Sequence, residues 1–235
     1  MLSDKTAVVT GASRGLGRAV SRVLAREGCR LGLIARDASA LSALAAELDG
    51  TEVHAVPADL ARREDIDGAV RRVAESLGCP EILVNNAGLG HYRPFLENTA
   101  DDDDRIMDVN FRAAVHLTRG FLPGMLERGS GHIVNIASDL SFTPLANMAV
   151  YAASKFALRG FSLSLAREVK DRGVRVSLVN PGIIDTAFND GEEGRQGAEA
   201  ALQPGQLAEA VLQVLTQPGF QMVDEITLHA VHQDY

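Results

Sequence analysis

Tyr151 and Lys155 stand four residues apart in Tyr-Ala-Ala-Ser-Lys, a segment that reads as helix. At that spacing both side chains leave the same helical face. A phenol has an ordinary pKa of about 10, too high to trade protons readily at neutral pH, but a fixed cation nearby favours the phenolate and lowers it. The pair therefore reads as a tuned general acid or base. The competing reading is a partly exposed helix face that does no chemistry. Ser138 closes the apolar run from His132 to Ala137, and a hydroxyl at the carboxyl end of that strand is either a cap or a site residue. Asn110 lies among Val109, Phe111 and Val115 on a helix, and a buried amide there needs partners. It is either a satisfied structural amide or the mark of a kink that holds a water by the site.

These residues need a scaffold, and the chain begins with one. Thr6 to Thr10 is a short β-branched run, followed at once by Gly11-Ala12-Ser13-Arg14-Gly15-Leu16-Gly17 and a helical pattern to about Glu27. That is strand, glycine turn, helix. Glycines at 11, 15 and 17 permit a tight turn and a close backbone approach, so the first N–H groups of the helix can face a pyrophosphate, aided by the helix dipole. The spacing differs from G-x-G-x-x-G. A second strand, Arg30 to Ala35, ends in Arg36-Asp37, the place where a nucleotide ribose is read. Arg14 and Arg36 would grip a 2'-phosphate, which favours NADP(H). Asp37 as ribose acceptor would make the cofactor NAD(H) instead; in a third reading it caps the next helix and both arginines are solvated.

Strands and helices then alternate: a helix from about Ala38 to Leu48, a strand from Glu52 to Ala58 ending at Asp59-Leu60, a helix from Arg63 to Leu77, and a strand Ile82-Leu83-Val84 running into Asn85-Asn86-Ala87-Gly88. Such alternation implies parallel strands joined by right-handed crossovers, in a doubly wound sheet whose ligands bind beyond the carboxyl ends of the strands. Asp101 to Asp104 sit near the start of a long helix reaching about Phe121, where the dipole favours acids, and we expect no metal there. After the Tyr151 helix come a strand from Val174 to Val179, the loop Asn180-Pro181-Gly182-Ile183-Ile184-Asp185-Thr186, a helix from about Gln206 to Leu215 and a strand from Glu225 to Leu228. Residues 187–203 are rich in Gly, Glu and Gln, the composition of a substrate lid or of a bare solvated loop.

Composition narrows the classes. At 235 residues and 46% hydrophobic the chain builds one large core, with no run long enough for a membrane span and no signal-peptide pattern, so a cytoplasmic location is expected. A net charge of −8 argues against a nucleic-acid partner. Cys29 and Cys79 read as structural thiols.

Taken together, Thr10-Gly11-x-x-x-Gly15-x-Gly17, Asp59, Asn85-Asn86-Ala87-Gly88, Asn110, Ser138, Tyr151-x-x-x-Lys155 and Pro181-Gly182 with Thr186 resemble the short-chain dehydrogenase/reductase family, in order and over essentially the whole chain. The resemblance implies a single-domain α/β fold of Rossmann type, with seven mainly parallel strands and helices on both faces. It implies a catalytic tetrad of Asn110, Ser138, Tyr151 and Lys155. Ser138 would orient the substrate carbonyl, Tyr151 would protonate it as hydride arrives, Lys155 would lower the Tyr151 pKa and bind the nicotinamide ribose, and Asn110 would hold a water. Gly11, Ser13, Arg14, Gly15, Leu16, Gly17, Arg36, Asp59, Leu60, Asn86, Ala87, Gly88, Pro181, Gly182, Ile184 and Thr186 would bind the cofactor, with Asp59 at adenine and Ile184 and Thr186 at the carboxamide. His91, Tyr92, Phe142, Met148 and Phe188 flank these motifs and either shape the pocket or pack. The expected partner is a small carbonyl or alcohol substrate, taken by a homo-oligomer built on the Tyr151 helix, whose other face offers Phe156, Leu158, Phe161 and Leu165. A 3-oxoacyl-carrier-protein reductase would use Arg159, Arg167, Lys170 and Arg172 to meet its acidic carrier. A non-catalytic dinucleotide sensor has no need of a Tyr tuned by a Lys.

Overall fold

The computed structural model describes residues 2–186, 188 and 199–233. Its first strand, β1 (Thr6–Thr10), is wholly buried, and its side chains alternate between two layers. Ala7 and Val9 enter one core, Val8 the other. The same period of two runs through β2 (Arg30–Ala35) and β4 (Ile82–Asn85): Leu31, Leu33, Ile82 and Val84 face the first layer, Ile34 and Leu83 the second. A sheet apolar on both faces must be covered on both. Helices α1 (Gly15–Arg26), α2 (Ala38–Glu47) and α7 (Pro204–Leu215) cover the first face, and α3 (Arg63–Leu77), α5 (Ala113–Arg128) and α6 (Ala149–Val169) the second. With β3 (Val53–Pro57), β5 (Gly131–Ile136), β6 (Val174–Pro181) and β7 (Glu225–Leu228), the sheet order is β3-β2-β1-β4-β5-β6-β7, and every pairing is parallel. The order reverses between β1 and β4, which opens a crevice beyond their carboxyl ends.

The segment expected to be one helix ending near Phe121 is built differently. A first helix, α4 (Ala100–Met107), opens on a capping box in which Thr99 Oγ1 accepts from the Asp102 N–H and Asp102 accepts from the Thr99 N–H, so the acidic run is a helix start. A π-helical turn, Asp108–Arg112, then inserts Asn110, and α5 continues through Pro123 to Arg128. Burial of Phe121 and Met125 in one core holds the helix together past the proline.

The apolar face of α6 expected to meet another subunit lies mostly inside the protein. Leu158 and Leu165 are buried and Phe161 packs edge-on against Phe111 at 6.3 Å, leaving Phe156 as the exposed member of the set. No helix among the described residues is long and apolar enough to cross a membrane. Of the expected lid, residues 187 and 189–198 lie outside the described residues. Its far end is anchored: Ala201 is buried, and Leu202 exchanges hydrogen bonds with Ile183 and Asp185 at 2.8 and 2.9 Å.

Candidate active site

A cleft of about 1380 Å³ opens along the carboxyl ends of the strands. At one end its wall is the glycine turn. Gly11 and Gly15 take φ of +64° and +52°, a left-handed backbone that glycine adopts without strain. Gly17 lets the turn close on itself, since a Cβ there would overlap the Gly11 carbonyl and the Asn86 amide. Thr10 ties the next wall to this one: its Oγ1 accepts from the N–H groups of Asn86 and Ala87, both at 2.9 Å, while its carbonyl accepts from Asn86 Nδ2 at 2.8 Å. The first turn of α1 has no side-chain cap and no acidic residue. Its orphan N–H groups suit an anion.

Arg14 and Arg36 are exposed on the rim of this end. Asp37, which also lines it, is the N-cap of α2, its Oδ1 accepting from the Ala40 N–H at 3.0 Å and Ser39 Oγ at 2.7 Å. Those bonds hold its carboxyl below the usual range. Asp59 is held by a residue that sequence reasoning missed. Arg105, from α4, pairs with it at 3.0 Å. Burial pushes the Asp59 carboxyl up, but the Ala61 N–H and Arg105 outweigh it and hold it low.

The other end is made of side chains. Ser138, two residues beyond β5, accepts from the Leu140 N–H at 3.1 Å and donates to Asp139 Oδ1 at 3.0 Å. Lys155 Nζ lies 5.7 Å from the centre of the Tyr151 ring and donates to the Ile136 carbonyl at 2.9 Å. Both are buried, and burial sets the direction of both shifts. Burial pushes Tyr151 up to about 12, partly offset by Ser138 and reinforced by the negative charge of Asp139. Burial likewise brings Lys155 down to about 8. Desolvation, which disfavours both charged forms, is here the larger effect.

Every expected cofactor residue lines this cleft, as do Ser138, Tyr151 and Lys155. Asn110 stands behind it. From the π-helical turn its Nδ2 donates to the Leu89 carbonyl at 2.8 Å and to Ser154 Oγ at 3.0 Å, and its Oδ1 accepts from the Leu89 N–H at 2.8 Å. Asn110 thus pins the loop after β4. Its Oδ1 and Lys155 Nζ both flank Gly88, whose added Cβ would lie 3.4 and 3.6 Å from them. Thr186 rests on the glycine turn, its Cγ2 at 3.1 Å from where a Gly15 Cβ would be. Tyr92, Leu145, Met148 and Phe188 make an apolar wall, with Phe188 edge-on to Tyr151 at 5.7 Å. His91 instead faces Asp102 at 3.8 Å, and Phe142 packs under Arg159. Asp139 and Gln233 were also missed, and both line the cleft. No local pattern points to Gln233.

The cradle fits a dinucleotide: backbone donors at an uncapped helix start, glycines where a side chain would block approach, and a buried ammonium further along. A family model described as short chain dehydrogenase matches residues 5–196. An uncharacterised oxidoreductase of Staphylococcus epidermidis is 34% identical over 98% of this chain and 99% of its own. An alcohol dehydrogenase from the archaeon Thermococcus sibiricus, solved with 5-hydroxy-NADP, superposes with a TM-score of 0.93 at 32% identity, covering 99% of both chains. L-sorbose reductase from Gluconobacter frateurii, solved with NADPH and L-sorbose, gives a TM-score of 0.88 at 31% identity over 97% of this chain and 96% of that one. The motifs, the parallel seven-stranded sheet and these matches place the chain in the short-chain dehydrogenase/reductase family of oxidoreductases.

Proposed function

We propose that the protein is an NADP(H)-dependent oxidoreductase that interconverts a small ketone or aldehyde and its alcohol, with Tyr151 as the acid/base. The observation that carries the reading is the cluster of Ser138, Tyr151 and Lys155, buried together at the end of a glycine-lined cleft. When bound along residues 11–17, Asp59, 86–88 and 181–186, the dinucleotide supplies or accepts the hydride. Reduction leaves negative charge on the carbonyl oxygen, and Tyr151 Oη, fully protonated at neutral pH, gives that oxygen its proton. Ser138 Oγ donates to the same oxygen, and the Lys155 ammonium stabilises the phenolate left behind, in a site dry enough for both effects to be large. Donors aimed where charge develops accelerate the step more than they tighten binding.

Arg14 and Arg36 support a 2'-phosphate, and the commitment of Asp37 Oδ1 to the α2 cap weakens its claim as a ribose acceptor. The two cofactor-bound relatives described above carry NADP-type dinucleotides. The wall of Leu145, Met148 and Phe188 favours a carbonyl with an apolar substituent. An acyl-carrier substrate has less support: Arg159 is paired with Glu225 at 2.8 Å, and Arg167 to Arg172 lie at the far end of α6, at least ~24 Å along its axis from Tyr151.

The test is the initial rate of NADPH and of NADH oxidation against small ketones, aldehydes, diketones and a 3-oxoacyl thioester. Turnover of small carbonyls with NADPH preferred is the expected result. Tight NADPH binding with no turnover of any of them would sink the enzymatic reading in favour of a sensor.

A further inference from the structure

Beyond β7 the chain turns back on the site. Pro181 pairs with Leu228 across the β6–β7 register, the Gly182 N–H donates to the Leu228 carbonyl at 2.8 Å, and a turn closed by Gln233 N–H to the Ala230 carbonyl at 3.1 Å aims the Gln233 side chain into the cleft. There the amide makes two bonds. Its Oε1 accepts from the Ile183 N–H at 2.7 Å, and its Nε2 donates to Asp139 Oδ2 at 2.8 Å. The orientation is forced, because a backbone N–H only donates and an ionised carboxylate only accepts. Glycine at 182 is part of the fit, since a Cβ there would overlap Gln233. The other oxygen of the same carboxylate, Asp139 Oδ1, takes the Ser138 hydroxyl proton at 3.0 Å.

We propose that Gln233 is a positioning residue, a brace that ties the loop after β6 to Asp139 and through it sets the rotamer and proton of Ser138. The inference rests on the proposed role of Ser138. Its mechanism is a competition. Ser138 must turn its O–H from Asp139 to the substrate oxygen as negative charge grows there, and the Gln233 N–H, by occupying and partly neutralising the carboxylate, weakens the Asp139 claim on that proton. Removing that donor leaves a stronger acceptor beside Ser138.

The test is a swap. Gln233→Glu keeps the shape and the acceptor for Ile183 but sets two carboxylates against each other. Adding Asp139→Asn restores the bridge with its polarity reversed: the amide N–H introduced at position 139 donates to the carboxylate introduced at position 233, and the carbonyl of that same amide accepts from Ser138. We expect Q233E to lower kcat about tenfold, with the NADPH dissociation constant, read by fluorescence titration, changed less than about twofold. The double variant should recover most of the loss. In thermal melts Q233E should fall by about 2–4 °C and the double variant should return toward wild type. A Q233E variant with wild-type kcat and melting point overturns the brace, as does a double variant no better than Q233E in either measurement. The melting cycle decides this without turnover, so a wild-type protein inactive on every carbonyl would defeat the enzymatic reading while the brace was still judged.

Discussion

At the glycine-turn end of the cleft the walls are backbone, whereas at the Tyr151 end they are side chains drawn from four separate segments. The first end is local: Thr10 to Gly17 is the end of one strand, one turn and the uncapped start of one helix. The second is assembled. Ser138 comes from just beyond β5, Tyr151 and Lys155 from α6, Phe188 from the loop after β6, and Gln233 from beyond β7. A backbone cradle tolerates a charged ligand because its donors are fixed and exposed. The side-chain end desolvates its own charges, which raises Tyr151 and lowers Lys155. Under the proposed function, binding and chemistry are thus separable, and variants at one end should leave the other nearly intact.

The largest effect is expected where the two functions meet. Lys155→Met should lower turnover by about 10³-fold and, unlike changes at Tyr151, should also weaken NADPH. The same change should not destabilise the fold. The folded pKa of Lys155, about 8 against an ordinary 10.5, means the buried ammonium costs roughly 3 kcal/mol below pH 8, a cost that fades as pH rises toward 10.5. A melting point at pH 7 equal to or above that of the wild type is the expected result, and a collapse of stability would show that the ammonium holds the site together instead.

Next comes the cofactor rim. The joint change Arg14→Ala and Arg36→Ala should weaken NADPH by about 30-fold or more and NADH by less than about threefold. Equal losses would break the assignment of the rim to a 2'-phosphate.

The dependence on pH, about tenfold for each unit, is the smallest single step. Alcohol oxidation requires the Tyr151–Lys155 pair to have lost one proton, and Lys155 gives it up first. Oxidation should therefore rise about tenfold per pH unit up to about pH 8 and then level, while reduction stays flat below that point and falls above it. Coincident profiles in the two directions would mean that the pair does not share the titrating proton.

The same contrast explains what could be read without coordinates. Gly11 and Gly15 are legible because a turn's demand on φ is met by residue type at fixed local spacing, and Gly17 because the turn closes where a side chain has no room. Tyr151 and Lys155 were legible because one helical turn relates them. Arg105 and Gln233 were not, because what brings Arg105 to Asp59 is the path of α4 across the sheet end, and what brings Gln233 to Asp139 is the pairing of β7 with β6. The rise of the Tyr151 pKa is not legible in sequence for a related reason: the burial that causes it belongs to the packed cluster of Leu140, Met148, Ala152 and Phe188. The π-helical turn at Asn110 was half visible, as an amide among apolar neighbours.

The central claim is that Tyr151 performs the proton transfer at one end of a cleft whose other end binds the dinucleotide. It is tested most directly by measuring turnover and NADPH affinity on the same preparation of Tyr151→Phe, once a carbonyl substrate is in hand. Turnover lowered by about 10³-fold or more, with the NADPH dissociation constant within about twofold of wild type, is the predicted result. Substantial residual turnover would contradict it.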